Sequence, residues 1–298
     1  MAKRIAISGA TGWLGREAIE KLSHAMPVEN LILFSSDGRN TVNNTGAPFP
    51  TENFLSAEPS KSLEGFIHLA FLTRDKVSTV GFPEFVSKNM SLISKACQII
   101  ETSKPKWVVL VSSGAILDRN SGAEETDIIK NPYGFCKRIE EALVLQSAQK
   151  VGANVVIGRL WGATGEFMPH NPAYAISDFI HTAQTNKRIL IKSGGSVIRR
   201  YVDAGEFIEV LVKAAVLGEQ VKINSGGTKI EIGELAYLVA GHFLNIEIVR
   251  PVQNDILDDY FPRDNDFETL AAKVGVVLCD LQTQVSRTVK GHRAAFSD

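Results

Sequence analysis

Tyr133 and Lys137 stand four residues apart in the stretch NPYGFCK, so on a helix they share one face. A phenol, with an ordinary pKa of about 10, is a poor base at neutral pH. A neighbouring ammonium favours the phenolate and brings it closer to the working range, so Lys137 is expected to tune Tyr133. A third group lies upstream, where the apolar run VVLVSSG ends in hydroxyls. Ser113 could hydrogen-bond a substrate carbonyl or alcohol and orient it for proton exchange with the phenol.

Tyr-x-x-x-Lys is a common spacing, and its weight here comes from a second motif. ISGATGWLG carries Gly9, Gly12 and Gly15 between an apolar start and the helix-like REAIEKL. In such a turn Gly9 supplies the bend, Gly12 lets backbone approach a pyrophosphate, and Gly15 lets helix pack close to strand. The helix N-terminus then offers N–H groups and the positive end of its dipole to the phosphates, with Thr11, Trp13 and Leu14 completing the turn. Proton exchange beside a bound dinucleotide is the chemistry of hydride transfer at a carbinol. The run LILF ends in Ser35-Ser36-Asp37-Gly38-Arg39. Hydroxyls at Ser35 and Ser36 with the Arg39 guanidinium could cradle the extra phosphate of NADP, which favours that cofactor. Asp37 keeps NAD open, because a carboxylate there could meet the ribose hydroxyls.

The elements that must position these groups read as an alternation. Strand-like runs at 4–9, 30–34, 65–71, 107–113, 154–160 and 221–224 are separated by helical patterns at 15–24, 82–101, 133–150, 174–187 and 205–217. Near-continuous apolar strands alternating with helices imply a doubly wound parallel α/β sheet. The dinucleotide-binding domain is expected over 1–165, also receiving about 196–224. A smaller substrate-binding lobe is expected over 166–298, where GATGEFMPHNPA and the polar stretch 251–268 loosen the pattern.

The chain has 298 residues, 32 basic and 33 acidic side chains and a net charge of −1. Without a block of like charge, neither nucleic acid nor a membrane surface is an expected partner. No apolar run approaches the roughly 20 residues of a membrane span. Cys97, Cys136 and Cys279 are odd in number and widely spaced, which points to a reducing cytoplasm rather than a disulfide framework. The six histidines form no ligand spacing, so no metal is expected. His68, inside an apolar strand, reads as a packed and hydrogen-bonded histidine.

On these motifs the chain resembles the extended short-chain dehydrogenases/reductases of the NAD-dependent epimerase/dehydratase type, with a Rossmann fold. SGATGWLG resembles the family's TGxxGxxG, and FIHLAF its HLAA, placing Leu69 and Ala70 at the cofactor wall. Asn89 in VSKNMSLI matches a helix Asn, VSSGAIL places the catalytic hydroxyl on Ser113, and PYGFCK supplies Tyr133 and Lys137. GRLWGATG resembles RxxNxxG and RRYVDAGEF the RDFxxVDD stretch. The resemblance implies substrate contacts from Asn89, Arg159 and Arg199, with Arg199 near a diphosphate, and the Trp161 ring could stack on a nucleotide base. It also implies a nucleotide-sugar substrate, Lys137 on the nicotinamide ribose, and a homodimer.

Departures narrow the reaction. Family dehydratases carry Asp-Glu directly after the catalytic hydroxyl, where Gly114 and Ala115 stand here, which speaks against dehydration. Gly162 replaces a substrate-contacting Asn, and Phe71 narrows the pocket. The expectation is an NAD(P)-dependent epimerase or 4-ketoreductase of a nucleotide-activated sugar. The alternatives are an NADPH-dependent ketoreductase on a non-sugar carbonyl and a dinucleotide-binding sensor without turnover.

Overall fold

The computed structural model describes residues 4–38, 41–42, 48–59, 62–118, 122–252 and 256–297. They cluster into two compact units, Met1–Leu160 with Ile208–Asn224, and Trp161–Phe207 with Ser225–Asp298. Residues 196–207 thus group with the second unit, and only 208–224 return to the first.

The first unit is built on seven strands: β1 (Ile5–Ser8), β2 (Leu31–Ser35), β3 (Glu52–Asn53), β4 (Gly65–His68), β5 (Trp107–Ser113), β6 (Asn154–Leu160) and β7 (Val221–Asn224). They lie in the order β7-β6-β5-β4-β1-β2-β3, and every pair is parallel. The chain leaves β1 toward β2 and returns on its other side at β4. The order reverses between β1 and β4, and ligands of such sheets bind at the carboxyl ends of strands beside that point.

Three helices matter for the site: α1 (Trp13–Ser23), α2 (Phe82–Ser103) and α3 (Pro132–Val151). Ala6, Phe34, Phe66, Val108, Leu110, Val155 and Ile157 share one sheet face and pack with Ala96, Ile99 and Ile100 of α2 and Val144 and Ala148 of α3. Each large side chain buried there contributes about 2 kcal/mol. Residues of the opposite parity, among them Ile7, Leu33, Ile67, Val109 and Val156, are buried as well. Covering on both faces is why these strands read as unbroken apolar runs. The expected strands and helices of the sheet are present, with ends shifted by at most three residues. The short edge strand β3 has no counterpart in the sequence pattern.

The second unit holds Ser196–Asp203 paired antiparallel with Thr228–Glu231 and parallel with both Leu257–Asp259 and Gly162–Thr164. Its helices include Ala175–Asn186, Ile232–Ala240, Asp266–Lys273 and Leu281–Ser297. Cys97, Cys136 and Cys279 are free. Among the described residues no helix is long and apolar enough to cross a membrane.

Candidate functional site

The glycine turn joins β1 to α1, and each glycine has its own reason. Gly9 adopts φ +74°, and a Cβ on it would lie 2.9 Å from the Ala70 backbone nitrogen. A Cβ at Gly15 would fall 2.2 Å from the Gly9 carbonyl oxygen and 2.6 Å from the Ala10 Cα, so only glycine lets α1 approach β1 this closely. At Gly12 a Cβ would meet only the Gly9 oxygen, at 3.3 Å, which leaves the outer face of the turn as bare backbone. Gly12 is also the N-cap of α1; no side chain caps the helix and no acidic residue lies in its first turn. An uncapped, carboxylate-free helix start behind an open turn fits a diphosphate. Thr11, Trp13 and Leu14 are half-buried along it.

Ser113 ends β5 and caps the single 3-10 turn Gly114–Ile116, its Oγ accepting from the Ala115 nitrogen at 3.1 Å. Asn131 docks α3 against that turn, its Oδ1 accepting from Gly134 N at 2.9 Å and its Nδ2 donating to Ala115 O at 2.8 Å. A Cβ at Gly134 would fall 2.1 Å from Ala115 O. Asn131 and Gly134 therefore place Tyr133 beside Ser113, and NPYG, an N-cap followed by proline at the first helical position, is the signal that could have marked them.

The Tyr133 phenol is pushed up to about 12, chiefly by burial, with the Glu140 charge adding to the rise. The Ser113 hydroxyl and the Arg74 guanidinium pull the other way. Burial thus outweighs the groups that favour the phenolate. Lys137 Nζ donates to Glu140 Oε2 at 2.8 Å and to Val111 O at 3.0 Å, and lies 4.0 Å above the Phe71 ring. Its charge faces a buried carboxylate, and the same Phe71 ring meets Tyr133 edge-on at 5.7 Å. Ser113, Tyr133 and Lys137 are brought together at the carboxyl edge of the sheet, with Phe71 against both of the last two.

The remaining expected residues divide. Leu69 and Ala70 follow β4, their nitrogens donating to Ser8 Oγ at the end of β1. Ser35 is buried, its hydroxyl paired with Thr51 Oγ1 at 2.9 Å and accepting from Gly38 N at 2.9 Å. It holds the turn after β2 instead of offering a free hydroxyl to a phosphate. Ser36 and Asp37 are exposed, and Arg39 lies outside the described residues. Asn89 is fully buried; its Oδ1 accepts from Leu72 N at 2.8 Å, which fixes the loop after β4.

Arg159 and Arg199, expected at the substrate, both carry ion pairs within the protein. Arg159 forms a two-pronged pair with Glu141, Nε to Oε1 and Nη2 to Oε2 both at 2.9 Å, and Nη2 also reaches Glu124 at 2.8 Å. That guanidinium ties β6 to α3 through Nε and Nη2 and holds the Glu124 and Glu141 carboxyls below their ordinary range. In the second unit Arg199 pairs with both carboxylate oxygens of Asp258, at 3.2 and 2.9 Å. Arg200 spends its donors on Gly227, Pro262, Asp264, Asn265 and Glu268. Trp161 packs on Tyr260 with ring centroids 4.8 Å apart. A Cβ at Gly162 would sit 2.2 Å from Arg200 O, so the missing substrate side chain is excluded by strand pairing.

Among the described residues the one cluster of possible metal ligands is Asp203, Glu206 and Cys279. Arg287 Nη1 contacts all three at 3.2, 3.0 and 3.6 Å, filling the place a cation would take.

The model of the NAD dependent epimerase/dehydratase family matches residues 5–233. Among solved structures the chain is similar to MoeE5 in complex with UDP-glucose and NAD, at 17% identity over 98% of this chain and 99% of that one, TM-score 0.73. It is similar to epimerase Mth375 from Methanothermobacter thermautotrophicus, at 16% identity over 99% and 93%, TM-score 0.77. It is also similar to TunA, an NAD dependent NDP-hexosamine 5,6-dehydratase, at 14% identity over 98% of both chains, TM-score 0.75. At these identities the likeness is one of fold. No curated protein sequence matches the chain.

Proposed function

Because the chain belongs to the NAD dependent epimerase/dehydratase family, we propose that it is an enzyme catalysing reversible hydride transfer at a secondary carbinol or ketone of a nucleotide-activated sugar. The observation that carries this reading is the placing of Ser113, Tyr133 and Lys137 together at the carboxyl edge of a sheet that also bears an open, uncapped glycine turn. A dinucleotide bound at that turn would supply the hydride acceptor and donor. The backbone of Gly9–Gly15 would hold its diphosphate, and Leu69 and Ala70 would wall it.

Ser113 orients the substrate oxygen, and Tyr133 passes a proton to it or takes one from it. With its phenol held at about 12, Tyr133 is protonated at neutral pH, the form suited to reducing a ketone. Of the two cofactors weighed, the geometry favours NAD over NADP, since the Ser35 hydroxyl is committed to Thr51 and Gly38 while the Asp37 carboxylate is exposed. No carboxylate stands at 114–116, which supports epimerisation or ketone reduction over dehydration. The homodimer that the family resemblance implies is part of the same proposal.

One observation favours a second reading, an NAD(P)H-dependent ketoreductase on a non-sugar carbonyl. Gly162 admits no side chain, and Arg199 is paired to Asp258, so two expected nucleotide-sugar contacts are missing. Incubation with NADH or NADPH and a panel of nucleotide keto-sugars, aryl ketones and aliphatic ketones distinguishes the two. In either case Tyr133→Phe is expected to keep dinucleotide binding and to lose at least about 100-fold in kcat. Undiminished turnover in that variant would remove the assigned role, and no turnover of any panel member by wild type would leave the sensor reading.

A further inference from the structure

The pair Tyr133 and Lys137 has a buried third party. Glu140, one turn after Lys137 on α3, is 1% exposed. Its Oε2 accepts from Lys137 Nζ at 2.8 Å, and its Oε1 lies 3.3 Å from His68 Nε2 at the end of β4. These two facing atoms have no aligned hydrogen-bond partner among the described residues, so each is the polar group the other addresses.

Ser8 decides which nitrogen of His68 carries the proton. Its Oγ accepts from the backbone nitrogens of Leu69 at 3.1 Å and Ala70 at 3.3 Å, which leaves its own proton for His68 Nδ1 at 2.6 Å. The imidazole proton is thereby assigned to Nε2, facing Glu140. The ring itself is packed against Phe54 and Phe66, with centroids 5.8 and 5.7 Å away. A carboxylate in such apolar surroundings needs a cation, and Lys137 is that cation.

We propose that Glu140 is a positioning residue whose buried carboxylate pins the Lys137 ammonium and offsets its charge at the Tyr133 phenol. Seen from the phenol, opposite charges 2.8 Å apart act as a dipole, whose field falls off faster than that of a lone cation. The other charges facing Tyr133 are Arg74 and Asp75, both exposed and of opposite sign. Glu140 itself faces Lys137, His68, Tyr133 and the thiols of Cys97 and Cys136. The chain Ser8, His68, Glu140, Lys137 also ties the end of the first strand, under the glycine turn, to the acid/base pair.

The proposal rests on the acid/base role of Tyr133, and its test is independent of turnover. Protein labelled with 13Cζ-tyrosine is titrated without cofactor or substrate, Tyr133→Phe identifying the resonance. In Glu140→Gln the Tyr133 phenol is expected to ionise at a lower pH than in wild type, by roughly half a pH unit or more, as for loss of one nearby charge inside a protein. If that variant does not fold, Glu140→Leu combined with His68→Phe removes the same charge and fills the space between Phe54 and Phe66, with the same expected direction. An unchanged or upward ionisation in the folded variant overturns the proposal. Such a failure leaves the function reading standing, whereas an active Tyr133→Phe sinks that reading by itself.

Discussion

Replacing Arg159 with Met would leave the Glu141 carboxylate, buried on α3, with Lys222 at 2.9 Å as its cation, and the Lys222 side chain is 45% exposed. Breaking one side of a buried ion pair costs about 3–5 kcal/mol, because the surviving charge stays desolvated. Arg159→Met is therefore expected to lower unfolding stability by that order in urea titrations, with KM for any accepted substrate changed little. A large KM effect at preserved stability would return Arg159 to the substrate. Glu140 and Glu141 are adjacent in sequence and serve different partners: one faces Lys137 and His68, the other Arg159. In KRIEEAL both read as ordinary helix-surface acids. Their burial is visible only once β4, β5 and β6 are laid under α3.

The glycine turn is an element-scale device, since its parts work through the distance between α1 and β1. Gly15→Ala would drive a Cβ into the Gly9 carbonyl and the Ala10 backbone, neither of which is a flexible side-chain end. We expect it to cost about 1–3 kcal/mol of stability and to weaken dinucleotide binding together, measured by thermal unfolding with and without added NAD. Stabilisation by NAD equal to wild type would show that the turn does not hold the diphosphate. This element was legible because strand, turn and helix are contiguous; the Asn131 cap that starts α3 is equally local and was not read. The small sheet around Ser196–Asp203 was not, since its partners lie at 162–164, 228–231 and 257–259 and no local pattern links them.

At the scale of the whole molecule, pH is expected to act through the second unit. His170 and His181 stack with ring centroids 3.8 Å apart, and His292 on the last helix is 6% exposed. Burial, with His170 and His181 adding to it, depresses the His292 imidazole to about 4. A histidine depressed in the folded state is protonated first in the unfolded chain as pH falls. Its contribution is therefore intact above about pH 6.5 and lost progressively toward pH 4, on the order of 3 kcal/mol in all. Urea midpoints at pH 7 and pH 5 should show this fall in wild type and a smaller one in His292→Leu; equal falls would place the acid sensitivity elsewhere.

What the sequence determined by itself was local and periodic. The apolar strands, the helices between them, the glycine turn, and Ser113, Tyr133 and Lys137 can all be read because contiguous residues or a fixed helical spacing carry them. What only the tertiary structure decided was which charges are already spoken for. Arg159 meets Glu141 across 18 residues, Arg199 meets Asp258 across 59, and His68 meets Glu140 from a different strand and helix. A charged side chain looks free in a sequence until folding brings its counter-ion, since the energy that binds the two depends on separation in space and on the water excluded around them.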